Sequence, residues 1–450
     1  MVSTGAFQRE FPDDILDAVF DILRRDEYIK HHTRKWTRRG GRRDLCACAL
    51  VSRVWRELTR RHVFYDLDFK FRYVPLEYAA RQEKGEDEPE RLQITCHEED
   101  DFCVKKDLYD LDRFLASSPD IASCVRVLTL RSDPYIFEGD CSCCGVDRTL
   151  FLRLLERMSQ LKYLNLDYVL LNLTEITPPP EPPLHRPSLA SLTLKMDADD
   201  GSSEVDEWRV TSILQCFAKI ETFHLSGVYN ESDDFPRPAS VTTHHGADVE
   251  SAHLQASYLP RGTIFRLLQS SAHSLTSLVI KSPDSALAAS VLQDLINSHG
   301  PRLLHLDVGC APASYNGEKL PALDLSPCIA LQSLTVGLWD QWRGASWELL
   351  LPMLLSLSRR PPTTSPSLAR IAFELDTFCA PYVAGFSSEN PYLSRVENAL
   401  LELHSKARSL VVVVDGEPDA AFGGLTAESR SMIEGLLSRI HQDGFLHVVT

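Results

Sequence analysis

The sequence lacks a long apolar stretch and a recognisable secretion signal. Its longest apolar run, residues 349–355, has seven residues and contains Pro352. A membrane-spanning helix needs about 20 mostly apolar residues. The first residues, MVSTGAFQREFPDD, lack the basic start and the apolar core of a signal peptide. We therefore expect no membrane contact and a cytoplasmic or nuclear location, or both.

The motifs of common enzymes are also missing. The chain contains no G-x-G-x-x-G, P-loop, G-x-S-x-G or H-E-x-x-H pattern. Of its 12 cysteines, Cys141, Cys143 and Cys144 alone have the spacing of half a structural zinc site, and no second pair follows them. We interpret them as a thiol-rich loop, with zinc binding as the alternative. The sequence predicts no catalytic residue, no metal and no cofactor, and hence a protein that is not an enzyme.

Positive charge is scarce outside the first 60 residues. The chain has 47 Lys and Arg against 63 Asp and Glu, a net charge of −16. Residues 1–60 hold 13 basic and 9 acidic residues, or +4, so the remainder carries −20. Nucleic-acid binding depends on clustered Lys and Arg. We therefore expect no nucleic-acid partner for the main body.

Leucine is abundant, with 64 residues, and much of it falls in a repeated hexad of the form apolar-x-x-apolar-x-apolar. Ten hexads follow one another at separations of 26–39 residues. Their first positions are Val125, Leu161, Leu189, Ile220, Val249, Leu275, Leu303, Leu331, Leu368 and Ala407. Positions 4 and 6 share one face of a strand because side chains alternate with a period of two. Stretches with helical apolar spacing lie between hexads, at 148–158, 208–217, 285–296, 346–357 and 392–405.

This succession of strand, turn and helix resembles the leucine-rich repeat (LRR) family. The resemblance implies an α/β fold over residues 121–450, an irregular solenoid with a parallel sheet and outer helices. An ordinary α/β domain with leucine-rich strands is the alternative, but it does not predict the recurring hexad. The chain departs from the LRR pattern at position 9, where Asn or Cys usually forms a ladder between repeats. Val169 and Ala311 stand at two of these positions.

Residues 11–69 carry a second motif. Pro12 opens a helical stretch with an apolar stripe, and a second helix is predicted over residues 45–64. Phe64, Leu67 and Phe69 then form a further hexad-like strand. The pattern resembles the F-box, the helical module that binds the Skp-type adaptor of SCF (Skp, cullin, F-box) ubiquitin ligases. The matching positions are Phe11, Pro12, Ile15, Leu16, Val19, Phe20, Leu50, Val51, Ser52, Arg53, Trp55 and Arg56.

An F-box followed by LRRs resembles the F-box/LRR proteins, in particular those of the fungal F-box-like type. The predicted domains are an F-box domain at 1–69 with a basic insertion at 24–43, an acidic linker or hairpin with a first capping helix at 70–120, and the solenoid at 121–450. The insertion is interpreted as a solvated loop, with a nuclear-import or anionic-surface patch as the alternative. The resemblance implies adaptor binding by Phe11, Pro12, Ile15, Leu16, Val19, Phe20, Leu50, Val51 and Trp55.

The predicted function is that of a substrate receptor, which binds a cullin through the Skp-type adaptor and a target protein through the solenoid. The alternatives are an LRR interaction scaffold outside the ubiquitin system and a cysteine- or metal-dependent enzyme on an LRR scaffold. Positions 3 and 5 of each hexad point away from the core. His224 and His253 occupy position 5 of neighbouring repeats, where they could share an anion or a metal or titrate together. The candidate target-binding residues are Arg126, Arg131, Tyr163, His224, His253 and Arg370.

Overall fold

The computed structural model forms two compact units, Met1–Ile176 (unit 1) and Thr177–Thr450 (unit 2). The described residues of unit 1 are 15–24, 40–71, 108–132, 146–169 and 171–172. Those of unit 2 are 186–195, 212–226, 247–255, 268, 274–280, 286–310, 321–338, 345–359, 368–375, 390–407, 409–416 and 427–449.

The described part of unit 1 starts with three helices around a small core. Helix α1 covers residues 15–24, α2 Gly40–Cys48 and α3 Arg53–Val63. The continuous helix predicted for residues 45–64 is therefore wrong. The chain turns at residues 49–52, and the Ser52 hydroxyl caps α3 by accepting a hydrogen bond from the Trp55 amide at 3.1 Å. A serine N-cap starts a new helix because it satisfies an amide that has no partner inside the helix.

The remainder of unit 1 contains a parallel three-stranded sheet. Its elements are β1 Asp66–Phe71, α4 Leu108–Ser117, α5 Pro119–Ala122, β2 Val127–Ser132, β3 Val146–Asp147, α6 Arg148–Arg157, β4 Tyr163–Asp167 and β5 Leu171–Asn172. Strand β2 lies between β1 and β4, and β3 pairs separately with β5. Leu67 and Phe69 of β1 are in register with Leu128 and Leu130 of β2. The hexad-like strand at the end of the predicted F-box domain thus belongs to the repeat sheet.

The described part of unit 2 contains nine parallel strands in sequence order. They are β6 Ser188–Lys195, β7 Lys219–Ser226, β8 Asp248–Gln255, β9 Ser277–Ile280, β10 His305–Cys310, β11 Ser333–Leu338, β12 Arg370–Leu375, β13 Val411–Gly416 and β14 Leu446–Val449. The longer helices between them are α7 Ala286–His299, α8 Ala345–Ser358, α9 Leu393–Lys406, α10 Ala427–Leu436 and α11 Ser438–Gln442. Within the predicted helix 208–217, the described part shows one helical turn at 212–214.

The register confirms nine of the ten hexads. Position 4 of each pairs with position 4 of the neighbouring hexad inside the same unit, and positions 1, 4 and 6 of all nine are buried. The tenth prediction is displaced by two residues. Val412 and Val414, rather than Leu410 and Val412, pair with Ile371 and Phe373. This parallel arrangement, with helices between several of the successive strands, fits an LRR-like α/β solenoid.

Backbone hydrogen bonds also join successive repeats just before the strands. In unit 2 the amide of hexad position 2 donates to the carbonyl of position 2 in the preceding repeat. Examples are Leu304 to Thr276 at 2.7 Å, Gln332 to Leu304 at 2.8 Å and Ala369 to Gln332 at 2.8 Å. Because these groups are main chain, no particular side chain is required at the entry turn. The repeats stay in register without asparagine.

None of the helices in the described part of the chain combines the length and the apolar character that a membrane crossing requires. The three N-terminal helices do not by themselves identify an F-box.

Candidate interaction surfaces

Helix α1 carries two apolar stripes, and they face different surroundings. Residues 16, 20 and 23 form one stripe at helical spacing, and residues 15, 19 and 22 form the other. Leu16 and Phe20 are 7% and 1% exposed, whereas Ile15 and Ile22 are 48% and 59% exposed. One side of α1 therefore belongs to the core of the module, and the other side is apolar but open to solvent.

The buried stripe corrects part of the predicted adaptor-binding set. Leu16, Phe20 and Leu45 form the core of the three-helix module, against which Trp55 packs. The Phe20 and Trp55 rings meet edge to face, with centroids 5.6 Å apart. The expectation that Leu16 and Phe20 face a partner is wrong because both are covered by the module's own helices. Trp55 is partly buried against the same cluster.

Further exposed apolar residues lie at the turn between α2 and α3. Leu50 and Val51 in the turn and Val54 in the first turn of α3 are all at least half exposed. We call these three together with Ile15, Val19 and Ile22 the apolar surface. The sequence prediction included four of the six and missed Ile22 and Val54. Ile22 could have been found from the sequence, because it follows Val19 by three residues on the same helix. Phe11 and Pro12 lie outside the described residues.

Polar contacts hold α3 beside α1 and α5. The His62 ring contacts the Asp17 carboxylate, with Nε2 and Oδ1 2.9 Å apart. The Arg24 guanidinium lies over the Tyr65 ring at 4.0 Å from its centroid. Arg60 pairs with Asp120 at 2.8 Å. These contacts orient the exposed residues of α1 relative to those at the start of α3.

In unit 1, the predicted target-binding residues lie around β2 and β4. Tyr163 is exposed on β4, at position 3 of the hexad that starts at Leu161. Arg131 lies between two carboxylates, with Nε 3.1 Å from Asp68 Oδ1 and 3.5 Å from Asp167 Oδ2. Arg126 donates from Nη1 to the Ser123 carbonyl at 2.8 Å. Both arginines are thus engaged inside the unit, and Tyr163 offers the more accessible contact.

In unit 2, the structure brings His224 and His253 together. They are paired in register on β7 and β8, and their rings stack with centroids 4.5 Å apart and planes inclined by 29°. His253 Nε2 lies 3.1 Å from the Ser251 hydroxyl. Arg370 is on β12, four strands from β8, which corresponds to roughly 19 Å at the usual strand spacing. The histidines and Arg370 therefore form separate contact points.

Burial determines the charge of the histidine pair. It lowers the pKa of both imidazoles below their usual value, and the neighbouring His224 lowers the pKa of His253 further. The rings are consequently neutral at pH 7. A neutral pair has no positive charge to attract an anion, whereas a neutral imidazole can donate its lone pair to a metal.

The chain matches no protein-family model and no curated protein. Among solved structures it is similar to the leucine-rich repeat-containing protein LegL7 from Legionella pneumophila. The identity is 13% and the TM-score 0.33, with 74% of this chain and 87% of LegL7 covered. So distant a likeness carries no weight, and the LRR-like assignment rests on the strand order and register of the chain itself.

Proposed function

We propose that this protein is the substrate receptor of an SCF-type ubiquitin ligase. The apolar surface of unit 1 binds the Skp-type adaptor and through it a cullin, and the outward strand faces bind a target protein. The chain contributes no catalytic residue, because ubiquitin transfer follows from holding the target near the ligase. Its location is then cytoplasmic, nuclear or both.

The observation that carries this proposal is the exposed second stripe of α1. A helix with apolar residues on two sides buries one side in its own module and leaves the other for a partner. Ile15, Val19 and Ile22 are branched residues at spacings of four and three, which is the arrangement of a helix that packs into a groove. The F-box-like sequence of the same segment indicates which partner that is.

The solenoid supports the second half of the proposal. Stacked parallel repeats present long rows of outward side chains, a surface that repeat proteins use to bind other proteins. Position 5 is mostly small or polar, as in Thr129, Asn165 and Thr193. The alternative, an LRR scaffold outside the ubiquitin system, uses the same surface but does not recruit a cullin.

The experiment is affinity purification of the full chain from cells, followed by measurement of the adaptor and the cullin. Ile22→Asp with Leu50→Asp places two charges on the apolar surface without touching the module's core. The matched control is Phe114→Asp, an exposed apolar residue on α4. We expect the double variant to lose the adaptor and the cullin, while the control retains both and all proteins keep the same circular dichroism spectrum.

Equal adaptor recovery by the double variant and the wild type would refute the docking surface. Recovery of other proteins without any cullin would favour the scaffold alternative. Point variants are preferable to deletion of residues 1–69, because deletion would also remove most of β1, which pairs with β2.

A further inference from the structure

We propose that His224 and His253 form a binding site for a borderline divalent transition metal of the zinc class on the outward face of β7 and β8. This site is independent of the proposed ligase function. It uses two neutral nitrogen ligands in register on adjacent parallel strands, with the remaining coordination positions open to water.

The first argument is geometric. Residues in register on neighbouring strands lie one strand spacing apart, so both imidazoles leave the sheet side by side. Their centroid separation of 4.5 Å and near-parallel planes place the two ring edges on the same side of the sheet. Zinc binds histidine nitrogen at about 2.0–2.1 Å. Because the nitrogen lone pairs lie in the ring planes, the two stacked rings must turn towards one another for a single ion to bind both.

The second argument is the orientation of His253. A histidine that ligates a metal commonly uses its other ring nitrogen in a hydrogen bond that holds the ring in place. The Ser251 hydroxyl lies 3.1 Å from Nε2 and can take that role. In the tautomer whose Nε2–H donates to the hydroxyl oxygen, Nδ1 carries the free lone pair and is the ligand atom. Ser251 is two residues before His253 on the same strand, so the contact is built into the outward face of β8.

The third argument is the chemistry of the two ligands. Metal binding requires a deprotonated imidazole nitrogen, and at pH 7.5 a histidine is mostly deprotonated because its usual pKa is about 6.5. The flanking position-5 residues in register, Thr193 and Val279, add no charge that would protonate the rings. Imidazole favours Zn, Cu and Ni over Mg and Ca, which prefer oxygen ligands. In the part of the chain that the structure describes, the pair belongs to no group of three or more His, Cys, Asp or Glu residues, so the protein supplies two ligands and water the others.

The test is equilibrium dialysis of the full-length, tag-free and metal-stripped protein against Zn²⁺ at pH 7.5, with bound zinc counted by mass spectrometry. The variants are His224→Ala and His253→Ala. The matched control is His305→Ala, which removes an exposed histidine that is in register with Ser277 and Ser333 rather than with another histidine. Since the 12 cysteines of the chain can also bind zinc, the difference between variant and wild type is the measured quantity.

We expect each of the two single variants to lose one equivalent of bound zinc and the control to lose none. Ser251→Ala should weaken that equivalent about tenfold by releasing the His253 ring. In the Co²⁺-loaded wild type, the equivalent bound at this site should absorb light without a thiolate charge-transfer band. Equal zinc binding by all proteins, or an equal loss in His305→Ala, would overturn the proposal. If an alanine variant fails to fold, His224→Gln and His253→Gln replace it and the same comparison decides.

Discussion

Replacing Phe20 by alanine should loosen the three N-terminal helices without disturbing unit 2. Phe20 is 1% exposed and packs with Leu16 and Leu45 in the core of the module. Its ring also meets Trp55 edge to face. Truncation of a buried phenylalanine typically costs about 3–5 kcal/mol, which combines lost transfer free energy with the cavity left behind. Because this core is small and partly open, we take the lower end, about 3 kcal/mol.

The assay is hydrogen exchange of the full chain, followed by mass spectrometry of peptides from α1, α2 and α3. Local opening can be measured peptide by peptide, whereas a single unfolding free energy is poorly defined for a chain of two units. A loss of about 3 kcal/mol corresponds to roughly a hundredfold faster exchange in the three helices. Peptides from β10 and β11 should exchange at the wild-type rate.

Val19→Ala is the matched control, because Val19 lies one residue earlier on the same helix and is 45% exposed. A surface truncation of this kind changes stability by about 0.5 kcal/mol or less, and exchange by about twofold. If Phe20→Ala accelerates exchange by less than threefold, or if Val19→Ala matches it, the assignment of the inward stripe is wrong.

Two further predictions address the cap and the histidines. Ser52→Ala should destabilise α3 by about 1 kcal/mol, because the Trp55 amide loses its acceptor. The loss is measured as faster hydrogen exchange in the α3 peptides, and unchanged exchange would exclude the cap. Since the folded-state pKa values of His224 and His253 lie below their unfolded value, the unfolded chain binds protons first as the pH falls below about 6.5. Unit 2 should therefore lose stability between pH 7 and 5.5, which is measured as a lower Tm. The double variant His224→Gln with His253→Gln should lose less stability over this range. An equal loss in the variant and the wild type would contradict the shifted pKa values.

The repeat pattern could be predicted from the sequence because it depends on a local rule. Side chains on a strand alternate, and each hexad places two apolar residues on the same face. Leu164 and Leu166 are buried for that reason, as are their equivalents in the next repeats. No long-range information was needed to identify this face. That β1 belongs to the repeat sheet did not follow from a local rule, since it became clear only from the pairing of Leu67 with Leu128.

The phase of β13 was decided by tertiary structure. Residues 411–414 are four consecutive valines, so positions 4 and 6 of the hexad can be filled in two ways that differ by two residues. A shift of two leaves the same face inward, and the apolar position 1 favoured the phase with Ala407 over the observed one, in which Ser409 takes that position. Hydrogen bonding to β12 selects Val412 and Val414 as positions 4 and 6. Strand β14 was missed because Asp443 stands where an apolar position 1 was required.

The same distinction applies to the candidate sites. The spacing in α1 predicted one apolar stripe and did not separate the residues that face inward from those that face solvent, because that depends on where α2 and α3 pack. The sequence placed His224 and His253 in neighbouring repeats, and the β7–β8 register turned that adjacency into a stacked pair. Sequence alone determined which side chains leave the sheet together. The packing around them determined which are covered, which are paired and which remain available to a partner.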